Sequence, residues 1–267
     1  MNSLYSCYSI ILICFFAFKC DCFTATLSLQ HLNKKRNSNC PSTISNQINL
    51  MQDNEVNAQE IGIHDDYVTR FATSNDVASI VSCTNDAYVA DTFFKKVEYH
   101  NRFTANDVVN MMTSSNSAFV VATRSSDPDK AICGSLYLQW ECKLAESKFG
   151  PTKIIGKFSA VAVSRSSQRK GVGQLLIQSA EKIVLKLANE EADKVLAVSG
   201  NDTASSSTSV CAEITMGVIN LREDLFPWYQ GQGFTIEEQM PWDAELSRIV
   251  SEGYEHVSLI RMRKTLL

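Results

Sequence analysis

From Tyr67 onward, apolar and polar positions alternate with two different periods, and each period predicts its own kind of element. The stretch "YVTRFATS", from Tyr67, reads as a first strand, and Ser74 offers an N-cap for a helix through about Ala90. Val77, Ile80, Val81, Thr84 and Tyr88 fall on one face of that helix. A second helix opens at Thr104, where Asp107 three residues on makes an acidic variant of the capping box. Ala118 to Thr123 and Lys130 to Cys142 read as a hairpin about the turn "SSDPD". In the longer strand Ile132, Gly134, Leu136, Leu138 and Trp140 face one way. "GKFSAVAVS" is continuously apolar at its end, as a buried central strand should be. A long helix follows with Val172, Leu175, Leu176, Ser179, Ile183 and Leu187 on one face. "AEITMGVIN" is another strand, "LREDLFPWYQGQGF" a short helix closed by glycine, and "TIEEQ" and "HVSLIRMRK" finish as two strands. The order β-α-α-β-β-β-α-β-α-β-β, with no internal repeat, predicts a mixed α/β or α+β layer architecture around one core.

The first 60 residues follow neither period. Leu4 to Phe18 is an unbroken apolar run, shorter than the ~20 residues of a membrane span. It suits the hydrophobic part of a secretory-type signal over residues 1–22, although no Lys or Arg precedes it. Residues 23–60 begin rich in Ser, Thr and Asn, with Lys34, Lys35 and Arg36, and resemble an organelle transit peptide or a disordered segment. A signal followed by such a segment resembles the two-part presequence of proteins sent into plastids of secondary origin. The alternatives are secretion, a short membrane anchor, or a cytoplasmic protein read from a wrong start codon. The folded domain is expected over 61–267, interrupted by a Ser/Thr-rich insertion near 199–210.

Composition narrows the function classes. A chain of 267 residues with formal charge −4 has no general pull toward nucleic acid or membrane, so any anion site must be local. Five of the nine cysteines lie in the first 40 residues. Cys83, Cys133, Cys142 and Cys211 are scattered, with no spacing that suggests a metal or a redox pair, and four dispersed thiols fit a reducing compartment.

Positive charge and bare backbone gather at one place. In "SRSSQRKGVGQLLIQSAEKI" two arginines, a lysine and Gly171 and Gly173 stand directly before the long helix. A helix N-terminus exposes unpaired N–H groups and carries roughly half a positive charge. Glycines there let a ligand approach the backbone, which makes a phosphate cradle; a glycine-tolerant tight turn would look the same. A P-loop is excluded because Gln174 follows Gly173, and a dinucleotide fingerprint because Leu176 stands where its third glycine or alanine belongs.

Gln168-Arg169-Lys170-Gly171-Val172-Gly173 between a strand and an amphipathic helix resembles the acetyl-CoA-binding motif Q/R-x-x-G-x-G/A of the GNAT N-acetyltransferase superfamily. Downstream, "NLREDLFPWYQGQGF" is similar to that family's fifth-strand end and fourth helix. The resemblance is closest from Phe158 to Phe234 and extends by element order from Tyr67 to Lys264. It implies a mostly antiparallel central sheet with helices on both faces. It also implies that Gln168, Arg169, Lys170, Gly171, Val172, Gly173 and Gln174 hold the CoA pyrophosphate on their backbone amides. Ala162 and Val163 would end a splayed, bulged strand that pairs with pantetheine, Val163 offering an N–H to the thioester oxygen. Asn220 would contact the pantetheine arm, and Tyr229 would protonate the departing thiolate. Acetyl-CoA is then the cosubstrate, an amine the acceptor, and no metal is needed.

The chemistry makes the roles intelligible. An alkylamine of pKa about 10.4 is neutral in only about one part in a thousand at pH 7, so a base is useful. The strand where many relatives carry a glutamate has none here; Glu213 and Glu141 are the candidate bases, each equally readable as a solvated strand-end charge, and a water chain is the other route for the proton. His64, His100 and His256 read as surface or packing residues. Arg222 either anchors its loop through Glu223 or Asp224 or contacts substrate. Phe93 and Phe94, beside Lys95 and Lys96, line an acceptor pocket or serve as core or lid residues. The leading expectation is an N-acetyltransferase working by direct attack in a ternary complex, on a small molecule or a protein amino group. The alternative is a non-catalytic acyl-CoA-binding sensor or scaffold.

Overall fold

The computed structural model describes residues 60–127, 129–143, 152–198, 209–241 and 246–267. The signal-like and transit-like stretches up to residue 59, and positions 199–208 of the Ser/Thr-rich insertion, lie outside the described residues. Among the described residues are eight strands and four α-helices. The strands are β1 (Glu60–His64), β2 (Tyr67–Phe71), β3 (Ser117–Arg124), β4 (Ile132–Lys143), β5 (Thr152–Val163), β6 (Val210–Ile219), β7 (Thr235–Pro241) and β8 (Ser258–Thr265). The helices are α1 (Val77–Tyr88), α2 (Ala105–Met112), α3 (Val172–Val198) and α4 (Leu225–Gly231). One sheet runs β1-β2-β3-β4-β5-β6-β8-β7, antiparallel throughout except for the parallel pair β5–β6. The expected mixed, mostly antiparallel sheet is the observed one.

The two faces of the sheet bury different residues. On one, Ile80 of α1 and Val108 and Met111 of α2 pack with Phe103, Phe119, Val121 and Tyr137. On the other, Val172, Leu175, Leu176, Ile177, Ile183 and Leu187 of α3 and Tyr229 of α4 pack with Leu136, Leu138, Trp140 and Phe158. Helices therefore cover both faces, as expected. The fully buried Leu176 contributes about 1.5–3 kcal/mol by leaving water, and Leu176→Ala would cost about 2–5 kcal/mol because the helix cannot collapse onto the void. β4 is buried on both sides from Gly134 to Leu138, so its second face, Ser135 and Tyr137, is core as well.

Three local details differ from expectation. The strand β1 was not foreseen; it is a short edge strand, and its Gly62 lets α3 close in, since a Cβ there would meet Ser179 Oγ at 2.9 Å and Leu175 at 3.1 Å. Thr73, not Ser74, caps the entry to α1, through a 3₁₀ turn over Ser74–Asp76. Asp76 accepts from the Thr73 N–H at 2.7 Å and from both terminal nitrogens of Arg70 at 2.7 and 2.9 Å. These donors hold its carboxyl below the usual carboxylate range, although burial opposes them. At α2 the Thr104–Asp107 capping box forms as expected.

The parallel pair positions the site. β5 and β6 pair only from Thr152↔Val210 to Lys157↔Thr215. Beyond that, β6 continues along β8 as far as Ile219↔Leu259, while β5 stays with β4. Between Tyr137↔Ser159 and Ser135↔Ala162 the β4–β5 register slips, and Ala160 sits there in the left-handed region at φ 53°. Such a bulge bends its strand. β5 and β6 thus diverge into a wedge that opens toward the N-terminus of α3.

Candidate functional site

The wedge is the throat of a cleft of ≈ 670 Å³. Phe158, Ser159, Ala160, Val161 and Val163 of β5 line one side, and Gly217, Val218 and Ile219 of β6 the other. The α3 face contributes Gln168, Arg169, Gly171, Val172, Gly173 and Gln174, with Trp228 and Tyr229 of α4. The opposite face contributes Tyr88, Asp91, Lys95 and Arg102 from the end of α1 and the α1–α2 connection. The cleft therefore runs through the sheet, from one helical layer to the other.

On the α3 side the donors are backbone. Arg169 and Gly171 take left-handed conformations, φ 59° and 78°, which curl the chain into a concave run of amides. The first intrahelical bond of α3 runs from Leu175 N–H to Gly171 O at 2.9 Å, so the amides of Val172, Gly173 and Gln174 have no acceptor within the helix. Gln168 Nε2 donates to Val163 O at 3.1 Å, and Lys170 Nζ to Ser166 O at 2.7 Å. The loop is thereby braced by its own side chains, and Lys170 is not among the lining residues. Ser164 N–H goes to Cys133 O on β4 at 2.9 Å, so strand alternation turns the Val163 amide toward the opened edge.

The glycines serve a purpose the sequence did not suggest. A Cβ on Gly171 would lie 2.9 Å from His64 Cε1, and one on Gly173 would lie 3.3 Å from the Trp228 ring. Their missing side chains admit two protein rings that wall the loop, and both glycines remain in the cleft lining. His64 is thus a packing residue, half-exposed, with Nδ1 3.4 Å from Asp65.

Tyr229 is buried and stands 6.4 Å from Phe158, centroid to centroid, with Trp228 edge-on at 4.6 Å. Burial pushes its phenol well above the ordinary tyrosine value, so it is fully protonated at neutral pH. Arg222 spans the β6–α4 loop. It donates to both Asp224 oxygens at 3.0 Å and from Nη1 to Asp91 at 2.7 Å, which ties α4 to the 3₁₀ turn after α1. The loop-anchoring role through Asp224 is borne out, and Asp91 is the partner that sequence reasoning missed.

Four expected site residues lie elsewhere. Glu213 is buried at the paired end of β6, held by Lys153 at 2.8 Å and facing Arg263 at 3.6 Å, away from the cleft. Glu141 is exposed near the end of β4 against Lys143 at 3.1 Å. Neither carboxylate is among the residues that line the cleft. Asn220 uses its side-chain oxygen to accept from Ser258 N–H at 3.0 Å and its amide to reach His256 O, which pins β8 rather than facing the cleft. Ala162, also outside the lining, pairs with Ser135 beside the bulge and buries its side chain, 1% exposed, which leaves its expected main-chain role untouched. Phe94 is fully buried and Phe93 half-exposed; Lys95 next to them is the one that enters the lining.

Among the described residues no group of three His, Cys, Asp or Glu side chains could hold a metal ion. The chain matches no family model and no curated protein. Solved structures it is similar to include the acetyltransferase of GNAT family from Streptococcus pneumoniae, at 17% identity and TM-score 0.45 over 74% of this chain and 99% of that one. Another is a GCN5-related N-acetyltransferase from Kribbella flavida, at 17% identity and TM-score 0.47 over 75% and 98%. A third is Arabidopsis thaliana NAA60 in complex with acetyl-CoA, at 10% identity and TM-score 0.48 over 75% and 98%.

Proposed function

We propose that this chain is an acetyl-CoA-dependent N-acetyltransferase that brings thioester and amine together for direct attack. The observation that carries this reading is the wedge between β5 and β6, which ends at α3 amides that have no acceptor within the helix and is lined by buried Tyr229. The residues present fit the cosubstrate. Amides at a helix N-terminus suit a pyrophosphate, the open edge of β5 suits an arm built of amides, and the volume lies within the ~300–1,000 Å³ of ligand pockets. Bound acetyl-CoA would supply the acyl group as an activated thioester. The Val163 N–H would stabilise negative charge on the carbonyl oxygen as the neutral amine forms the C–N bond; as the C–S bond breaks Tyr229 would hand its proton to the departing sulfur, and the proton lost by the nitrogen would return the phenolate to phenol. Holding both reactants in one narrow throat supplies most of the remaining acceleration. The signal-like and transit-like stretches support delivery into an organelle.

A second reading, a non-catalytic acyl-CoA-binding module, is favoured by one observation. Among the described residues that line the cleft, Asp91 is the one carboxylate, and Arg222 already holds it. Incubating the protein with acetyl-CoA and an amine panel while following free thiol separates the two. Thiol release that depends on an amine supports transfer. Thermal stabilisation by acetyl-CoA with no amine-dependent release supports the binding module.

A further inference from the structure

The far side of the cleft, opposite α3, holds a side chain that transfer chemistry does not use. Lys95 is 8% exposed, yet it lines the cleft, and its ammonium makes no hydrogen bond or ion pair among the described residues. It rests against aromatic rings, 5.8 Å from the centroid of Tyr88 and 5.4 Å from that of Phe94. The Arg102 guanidinium lies 5.2 Å from the centroid of the same Tyr88 ring, so two cations contact one aromatic ring. Asp91, the nearest carboxylate in the lining, is taken up by Arg222 at 2.7 Å. A buried ammonium without an anion is costly, and a pocket that keeps one is built for an anion it lacks when empty.

The same region is closed by backbone. Lys96 N–H donates to Ile249 O and Ser251 N–H to Phe94 O, each at 2.9 Å, and Lys95 bridges Val250. These bonds join the α1–α2 connection to the β7–β8 connection where both border the cleft. The joined segments form one wall of the cleft.

Building on the acetyl-transfer reading, we infer that Lys95, with Arg102 beside it, receives the carboxylate of a small amine, so that the acceptor is an amino acid. The carboxylate supplies the missing anion, and gripping it fixes the distance from the amine to the throat. Burial, and then Arg102, hold the Lys95 ammonium down to about 8. An anion within contact would reverse that pull. The charged groups acting on it are Arg102 and Asp91, with the Tyr88 ring 5.8 Å from its ammonium and His100 Nε2 3.2 Å from its backbone oxygen; Lys157, Arg169, Arg222 and Tyr229 also line the cleft.

The test uses the full chain at saturating acetyl-CoA. Amino acids of increasing chain length are each compared with their primary amides, with a tripeptide N-terminus and with a phosphate-bearing amine. At least one amino acid is expected to have a KM at least tenfold below that of its amide. Lys95→Met should shrink that ratio below threefold, and Lys95→Arg should restore most of it, with acetyl-CoA Kd reporting an intact fold. Amides as good as acids, a ratio that survives Lys95→Met, or a preference for the tripeptide or the phosphate would each overturn the inference. In those cases acetyl-CoA is still consumed and the transfer reading stands. Failure to bind acetyl-CoA at all removes both.

Discussion

The two ends of the cleft are made of different material. The α3 end is backbone: amides oriented by a helix start and two left-handed residues, with side chains such as Lys170 serving only to brace them. The far end is side chain: Tyr88, Asp91, Lys95, Arg102 and Arg222, gathered from three separate stretches and held by long-range bonds. A backbone cradle accepts almost any side chain that keeps its conformation. A side-chain pocket is rewritten by one substitution, and it can hold an unfavourable charge that only a ligand relieves. Recognition of a fixed cosubstrate suits the first, and choice of acceptor suits the second.

Substitutions at each end should separate these characters. The largest effect on turnover is expected between the ends, at Tyr229→Phe. It should lower kcat at least tenfold, toward the roughly hundredfold that a positioned acid supplies, with acetyl-CoA Kd little changed. An unchanged kcat would remove the acid role. At the cradle, Gly171→Ala forces a Cβ into the left-handed region and against the His64 ring. Titration calorimetry should then show acetyl-CoA Kd weakened about 5–30-fold, the equivalent of ~1–2 kcal/mol of backbone strain. A Kd within twofold of the parent would mean the curl is not what presents the amides.

At the far end, Lys95→Met should stabilise the unliganded protein by about 3 kcal/mol at pH 7, raising Tm by roughly 6–12 °C. The sign follows from linkage. A folded-state value of about 8 against about 10.4 unfolded means that the unfolded chain binds more protons between those two values. Parent stability therefore rises with pH across that window, and the gap between the two proteins should close as pH climbs from 8 to about 10.5. A Tm that falls in Lys95→Met at pH 7 would show that the ammonium is a structural bond. The smallest effects are expected at Glu213→Gln and Glu141→Gln, which lie outside the cleft and should leave kcat/KM within about twofold.

The same division explains what could be seen in the sequence. The cradle was legible because backbone conformation is local: glycines, a helix start and an apolar stripe are written within Gln168 to Leu187. The element order was legible for the same reason. Lys95 and Asp91 were not, because their meaning depends on Arg222, over a hundred residues away, and on bonds to Ile249 and from Ser251. Glu213 and Glu141 misled because a strand's alternation gives the face of a residue but not how far it lies along the strand from the point where β5 and β6 diverge. β1 escaped because five residues with an internal glycine carry too weak a pattern.

That unforeseen edge strand sets where a working fragment can begin. A polypeptide started at Asp65 would keep every residue of the glycine-rich motif yet lose the imidazole that backs Gly171 and the contact of Gly62 with Leu175 and Ser179. The loop over residues 168–174, the anion site on the transfer reading, would be free to uncurl, and such a truncation would test as inactive when only its supporting wall had been cut away.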